Sequence, residues 1–104
     1  MKHLDDRTFD PTLAASPRAV LVDFTAPWCP PCDALKPTLQ AIANDRTDVD
    51  IVTLDVDESP EVAARFGVRA MPTLILFRAG TPRAQLVGNQ SRQKLATWLD
   101  EQLR

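Results

Sequence analysis

The sequence predicts an α/β chain whose mixed sheet is held between helix layers. Three apolar runs of strand length carry this reading, together with the helical stripes between them and a closing strand pair joined by a short turn. Residues 2–4 read as a short edge strand. Thr8 is placed to cap a helix running to about Ala15, with Pro11 tolerated in its first turn. Residues 19–24 are apolar except for Asp23, the pattern of a central strand covered on both faces. A longer helix starts at Cys29, where Leu35, Leu39, Ile42 and Ala43 make one stripe and Pro37 predicts a kink. Residues 51–56 form a second central strand. Ser59-Pro60 then opens a short helix to Phe66, which Gly67 ends. Residues 73–78 are the third strong strand, and the turn 79–82 leads to a weaker strand around 85–87. Ser91 caps a last helix with Leu95, Trp98, Leu99 and Leu103 on its inner stripe.

Size and charge narrow the classes. A chain of 104 residues, 44% hydrophobic, has room for one domain over residues 1–104 with a single core. A net charge of −2 without long like-charge blocks argues against nucleic acid as a partner. No apolar run approaches the roughly 18 residues that span a bilayer, and residues 1–7 lack the apolar stretch of a secretory signal. The expectation is a cytoplasmic, monomeric domain with no membrane partner. Glycine is scarce (3) and proline frequent (9), which restricts the unfolded chain.

Both cysteines lie in Trp28-Cys29-Pro30-Pro31-Cys32. As a structural staple this pair is poor, because closing so short a loop stabilises by only about 2 kcal/mol. As a zinc site it is incomplete: two cysteines and the single His3 fall short of four ligands, so no metal is expected. A metal or cluster shared between two chains stays open at this point. The reading that remains is a redox dithiol cycling between thiol and disulfide.

Val22-Asp23-Phe24 ahead of Trp28-Cys29-Pro30-Pro31-Cys32, then Pro37, Asp57, Met71-Pro72-Thr73 and Val87-Gly88, share an order and spacing with one family. Over essentially its whole length the chain resembles the thioredoxins. The resemblance implies a thioredoxin fold, a five-stranded mixed β-sheet flanked by four α-helices. Two departures stand out. Pro30 replaces the glycine usual between the cysteines. Thr25 and Thr53 stand where the family commonly has a tryptophan and a lysine near the buried acid.

The resemblance also assigns roles. Cys29, at a helix start where free N–H groups favour a thiolate, is the expected nucleophile, facing solvent. Cys32, one turn inward, resolves the mixed disulfide. Asp23 lies beneath them as acid/base, its pKa raised by burial, with no lysine expected nearby. Pro72 is implied to be cis, and Trp28, Pro30, Met71, Pro72, Val87 and Gly88 to form the substrate-binding rim. Pro30 and Pro31 tune the redox balance. Trp98 and His3 carry no site role, the first filling core and the second ordinary.

The expected function is a protein disulfide reductase with no bound cofactor, only the redox-active Cys29–Cys32 pair. Its implied partners are disulfide-containing proteins and a thioredoxin reductase using NADPH. A thiol oxidant or isomerase is the nearest alternative, although such relatives usually carry histidine where Pro31 stands. A binding or assembly module with an incidental dithiol is the other.

Overall fold

The computed structural model describes residues 1–104. Its elements are β1 (Lys2–Leu4), α1 (Phe9–Ala15), β2 (Ala19–Thr25), α2 (Pro30–Asp45), β3 (Val49–Asp55), α3 (Pro60–Arg65), β4 (Thr73–Arg78), β5 (Thr81–Val87) and α4 (Arg92–Gln102). The strands form one sheet in the order β1-β3-β2-β4-β5. β1 and β2 run parallel to β3, β4 runs antiparallel to β2, and β5 antiparallel to β4. A five-stranded mixed sheet with four helices is therefore the architecture. No helix is long and apolar enough to cross a membrane.

β2 lies at the centre, and all seven of its residues are buried. A run apolar but for Asp23 and Thr25 needs cover on both faces. The cover comes in two layers. Val20, Val22 and Phe24 join Leu54, Ile75 and Phe77 against Phe9 and Leu13 of α1 and Val62 of α3. Leu21, Ile51, Leu74 and Leu76 pack on the other face, against Leu35 and Leu39 of α2 and Leu95 and Leu99 of α4. Because side chains alternate along a strand, Asp23 falls on the α2 face with Leu21.

The element order agrees with the sequence reading, but two of the three expected caps, Thr8 and Ser59, do not. Thr8 makes no side-chain capping bond. Asp5 Oδ1 accepts instead from the N–H groups of Arg7 and Thr8, both at 2.9 Å, closing the turn before α1. Ser59 precedes Pro60 as expected, yet its buried hydroxyl has no partner. The amides of α3 are taken by Asp6 from the β1–α1 loop, with Val62 N–H at 2.9 Å and Glu61 N–H at 3.3 Å. Ser91 does cap α4, accepting from Lys94 N–H at 3.1 Å.

Other details follow local chemistry. α2 continues through Pro37. Gly67 takes φ +67° just after α3, the left-handed stop that glycine permits. β5 begins earlier than expected, so the turn is only Ala79-Gly80, both at positive φ, as a two-residue hairpin requires. Pro82 then sits in an edge strand, where a missing N–H is harmless. Trp98 and Leu103 are half-buried against the α2/α4 layer rather than fully inside it.

Candidate active site

The turn that follows β2 delivers Cys29 as the N-cap of α2, with Pro30 and Pro31 in the first helical turn. Cys29 is extended, at φ −113° and ψ 99°, as a residue before proline prefers. Neither proline has an N–H, so the first amide the helix can offer is that of Cys32. It donates to Cys29 Sγ at 3.3 Å. The two cysteines are joined as a disulfide with Cα atoms 5.3 Å apart.

The expectation that Cys29 faces solvent needs correction. Cys29 is 4% exposed and Cys32 0%, because Ala26, Val56 and Met71 pack around the pair. A helix N-terminus points outward, but the neighbouring loop folds over it. Cys29 Sγ lies 3.6 Å from the carbonyl oxygen of Met71. The Met71-Pro72 peptide is cis. Pro72 is buried, and its carbonyl accepts from Gly88 N–H at 2.8 Å, where Gly88 holds φ +92°. Gln90 Nε2 donates to the carbonyls of Val87 and Gly88, both at 3.2 Å, fixing the end of β5.

Trp28, Pro30 and Val87 are exposed around this centre, while Met71 and Gly88 are half-buried. Trp28 is 62% exposed and Val87 53%, unusual for large apolar side chains. The Trp28 indole is anchored, donating from Nε1 to Asp57 Oδ2 at 2.9 Å. Asp57 belongs to the family's pattern, but sequence spacing alone gave no hint of this bond.

Asp23 is fully buried, and neither carboxylate oxygen has a hydrogen-bond partner. Desolvation pushes its pKa up to about 7, opposed by the charge of Lys36. A cation therefore does act on this acid, contrary to the expectation drawn from Thr53. It comes from the helix and not from the strand. Cys32 and Lys36 are four residues apart and share a helix face, but nothing local in the sequence ties that face to Asp23. Thr25, buried in the place of the usual tryptophan, has an unpartnered hydroxyl of its own. No group of three or more His, Cys, Asp or Glu side chains is gathered to hold a metal ion.

A mixed α/β sheet that presents a Cys29–Cys32 disulfide at a helix N-terminus defines a protein-disulfide oxidoreductase. Comparison with known proteins agrees. The model of the family described as Thioredoxin matches residues 1–101. The thioredoxin of Staphylococcus haemolyticus (strain JCSC1435) is 43% identical over 99 residues, covering 94% of this chain and 93% of that protein. The thioredoxin of Alicyclobacillus acidocaldarius subsp. acidocaldarius is 41% identical over 101 residues, covering 96% and 95%. That of Acidithiobacillus ferridurans is 37% identical over 102 residues, covering 97% and 94%. The chain belongs to the thioredoxin family, and its function is thioredoxin-type disulfide reduction.

Proposed function

We propose that residues 1–104 form one thioredoxin domain that reduces protein disulfides through the Cys29-Pro30-Pro31-Cys32 pair, Cys29 attacking and Cys32 resolving. The carrying observation is the single amide aimed at sulfur, Cys32 N–H on Cys29 Sγ at 3.3 Å. A donor there stabilises a thiolate on Cys29 and offers nothing equivalent to Cys32. In the reduced protein, Cys29 thiolate attacks one sulfur of a substrate disulfide. The Cys29–substrate bond forms, the substrate S–S bond breaks, and the released sulfur takes a proton. Asp23 carboxylate then accepts the proton of Cys32, whose sulfur attacks Cys29. The Cys29–Cys32 bond forms, the mixed disulfide breaks, and the second substrate sulfur leaves with the electron pair. Substrate gains two electrons and this chain loses two.

The rim suits an extended polypeptide. Trp28, Pro30, Met71 and Val87 offer an apolar surface beside the sulfurs, and the backbone at Met71-Pro72 and Val87-Gly88 lies within it. Pro30 and Pro31 tune the redox balance by withholding amides from the thiolate. The chain binds no cofactor. Its electrons come from NADPH through a thioredoxin reductase, and it works as a cytoplasmic monomer on disulfide-containing proteins, without nucleic acid or membrane. Reduction of insulin by dithiothreitol, followed by turbidity, tests this reading. The expected result is clear acceleration over the uncatalysed background; a rate equal to background would leave only a binding module.

A further inference from the structure

β5 ends at Val87 and α4 is capped by Ser91, so only Gly88, Asn89 and Gln90 join them. The β4–β5 ladder runs one step beyond its last strand pair, Thr73 with Val87, because Gly88 N–H donates to the Pro72 carbonyl at 2.8 Å. In a bonded antiparallel pair each residue gives one N–H and accepts one. Pro72 has no N–H to return. The Gly88 carbonyl is therefore left without its strand donor. Half-buried Gln90 supplies one. Its Nε2 donates one hydrogen to the Gly88 carbonyl and the other to the Val87 carbonyl, each at 3.2 Å.

The clamp acts on backbone that is open to an approaching chain. Gly88 holds φ +92°, and no atom beyond its chain neighbours lies within 4 Å of where a Cβ would stand on it. Val87 beside it is exposed, and across the ladder the Met71 carbonyl lies 3.6 Å from Cys29 Sγ. Resting on the rim reading given above, we propose that Gln90 positions the Val87-Gly88 backbone for polypeptide substrates, and so favours protein disulfides over small ones. It is a positioning residue, since its amide bonds the rim backbone and not a sulfur.

The physical reason is preorganisation. A carbonyl without its strand donor turns the loop toward whatever can satisfy it, water included. Held by Gln90, the loop keeps the shape that an extended chain must meet, so binding costs less ordering. A small disulfide has no backbone to lay along the rim and gains nothing from the clamp. The attacking sulfur, with the Cys32 amide on it, is left as it was.

The test follows oxidation of the reduced parent, Gln90→Leu and Gln90→Glu at neutral pH by two disulfides in excess, insulin and hydroxyethyl disulfide. Leucine has similar bulk and no donor, and ionised glutamate keeps the shape of glutamine with acceptors only. Both variants should react with insulin about 3–10-fold more slowly in second-order rate, the scale of one net hydrogen bond. Toward the small disulfide both should match the parent, and amide exchange at Gly88 should quicken in both. A merely structural role would lower the two rates together, so equal losses would overturn the proposal. Parent-like rates with insulin would overturn it too, as would slowing confined to Gln90→Glu, which the added charge would explain. A parent that reacts with insulin no faster than dithiothreitol would remove the rim reading and the proposal with it. A fast parent with unimpaired variants would remove the role of Gln90 alone.

Discussion

Asp23 is the residue on which sequence, burial and chemistry meet. An acid inside an apolar strand is costly when charged, and its two unpartnered oxygens show that no hydrogen bond offsets the cost. Its folded pKa of about 7 lies above the ordinary carboxylate value of 3.8, so the folded chain holds this proton more tightly than the unfolded one. The linked stability is fully present below the unfolded value and is lost as pH rises through the folded value. Asp23→Asn should therefore match the parent near pH 3–4 and grow more stable than it toward pH 8. A shift of this size corresponds to an upper bound of about 4 kcal/mol. Urea unfolding of both proteins from pH 4 to pH 8 measures the difference. On the proposed role of Asp23 as the base for Cys32, the same substitution should slow disulfide reduction at neutral pH. Burial of Asp23 was legible in the sequence, because one acid interrupts a run of strand residues. The opposing charge of Lys36 was not, because it arises between elements that only the fold brings together.

At the scale of elements, helix starts decide most of what the sequence left unresolved. Two serines precede helices, and only Ser91 bonds an amide. Asp6 caps α3 from 56 residues away, which no local pattern can reveal. Asp6→Ala should cost about 1 kcal/mol, the usual value of a lost cap. Ser59→Ala should cost nothing or stabilise slightly, because it deletes a buried hydroxyl without a partner. Thermal or urea unfolding of the two variants checks the contrast. The first turn of α2 carries the redox prediction. Pro30→Gly returns an amide at the first helical position, while the existing donor, Cys32 N–H, remains. Capping bonds come mainly from the second and third amides, so the gain should be modest. Thiolate absorbance in the variant should shift to lower pH by a few tenths to about one unit, within the range of one charge-assisted bond. The reduction potential should rise by about 10–30 mV, since a stabilised thiolate favours the reduced form. A glutathione equilibrium measures the second half.

Across the whole molecule, strand order and helix placement follow from patterns visible in the chain. β2 is central because its run is apolar but for Asp23 and Thr25 and buried throughout, and β5 is an edge because its residues alternate in exposure and include Pro82. The dithiol, Asp23 and the rim at Met71-Pro72 were legible as motifs before any geometry. The meeting of the cysteine pair with the Met71-Pro72 rim was not, nor was the cover over Cys29, since Cys29 meets Met71, and Gly88 meets Pro72, only in the folded chain. That cover makes the order of the two sulfurs the central claim. The proposed order assigns attack to Cys29, which carries the Cys32 amide on its sulfur and is 4% exposed, against 0% for Cys32. The direct measurement incubates Cys32→Ser and Cys29→Ser, each reduced, with a disulfide-bonded protein, and weighs the products by mass spectrometry. Cys32→Ser should accumulate a mixed disulfide through Cys29, and Cys29→Ser should trap nothing. Equal trapping by the two variants, or trapping by Cys29→Ser alone, would contradict the account.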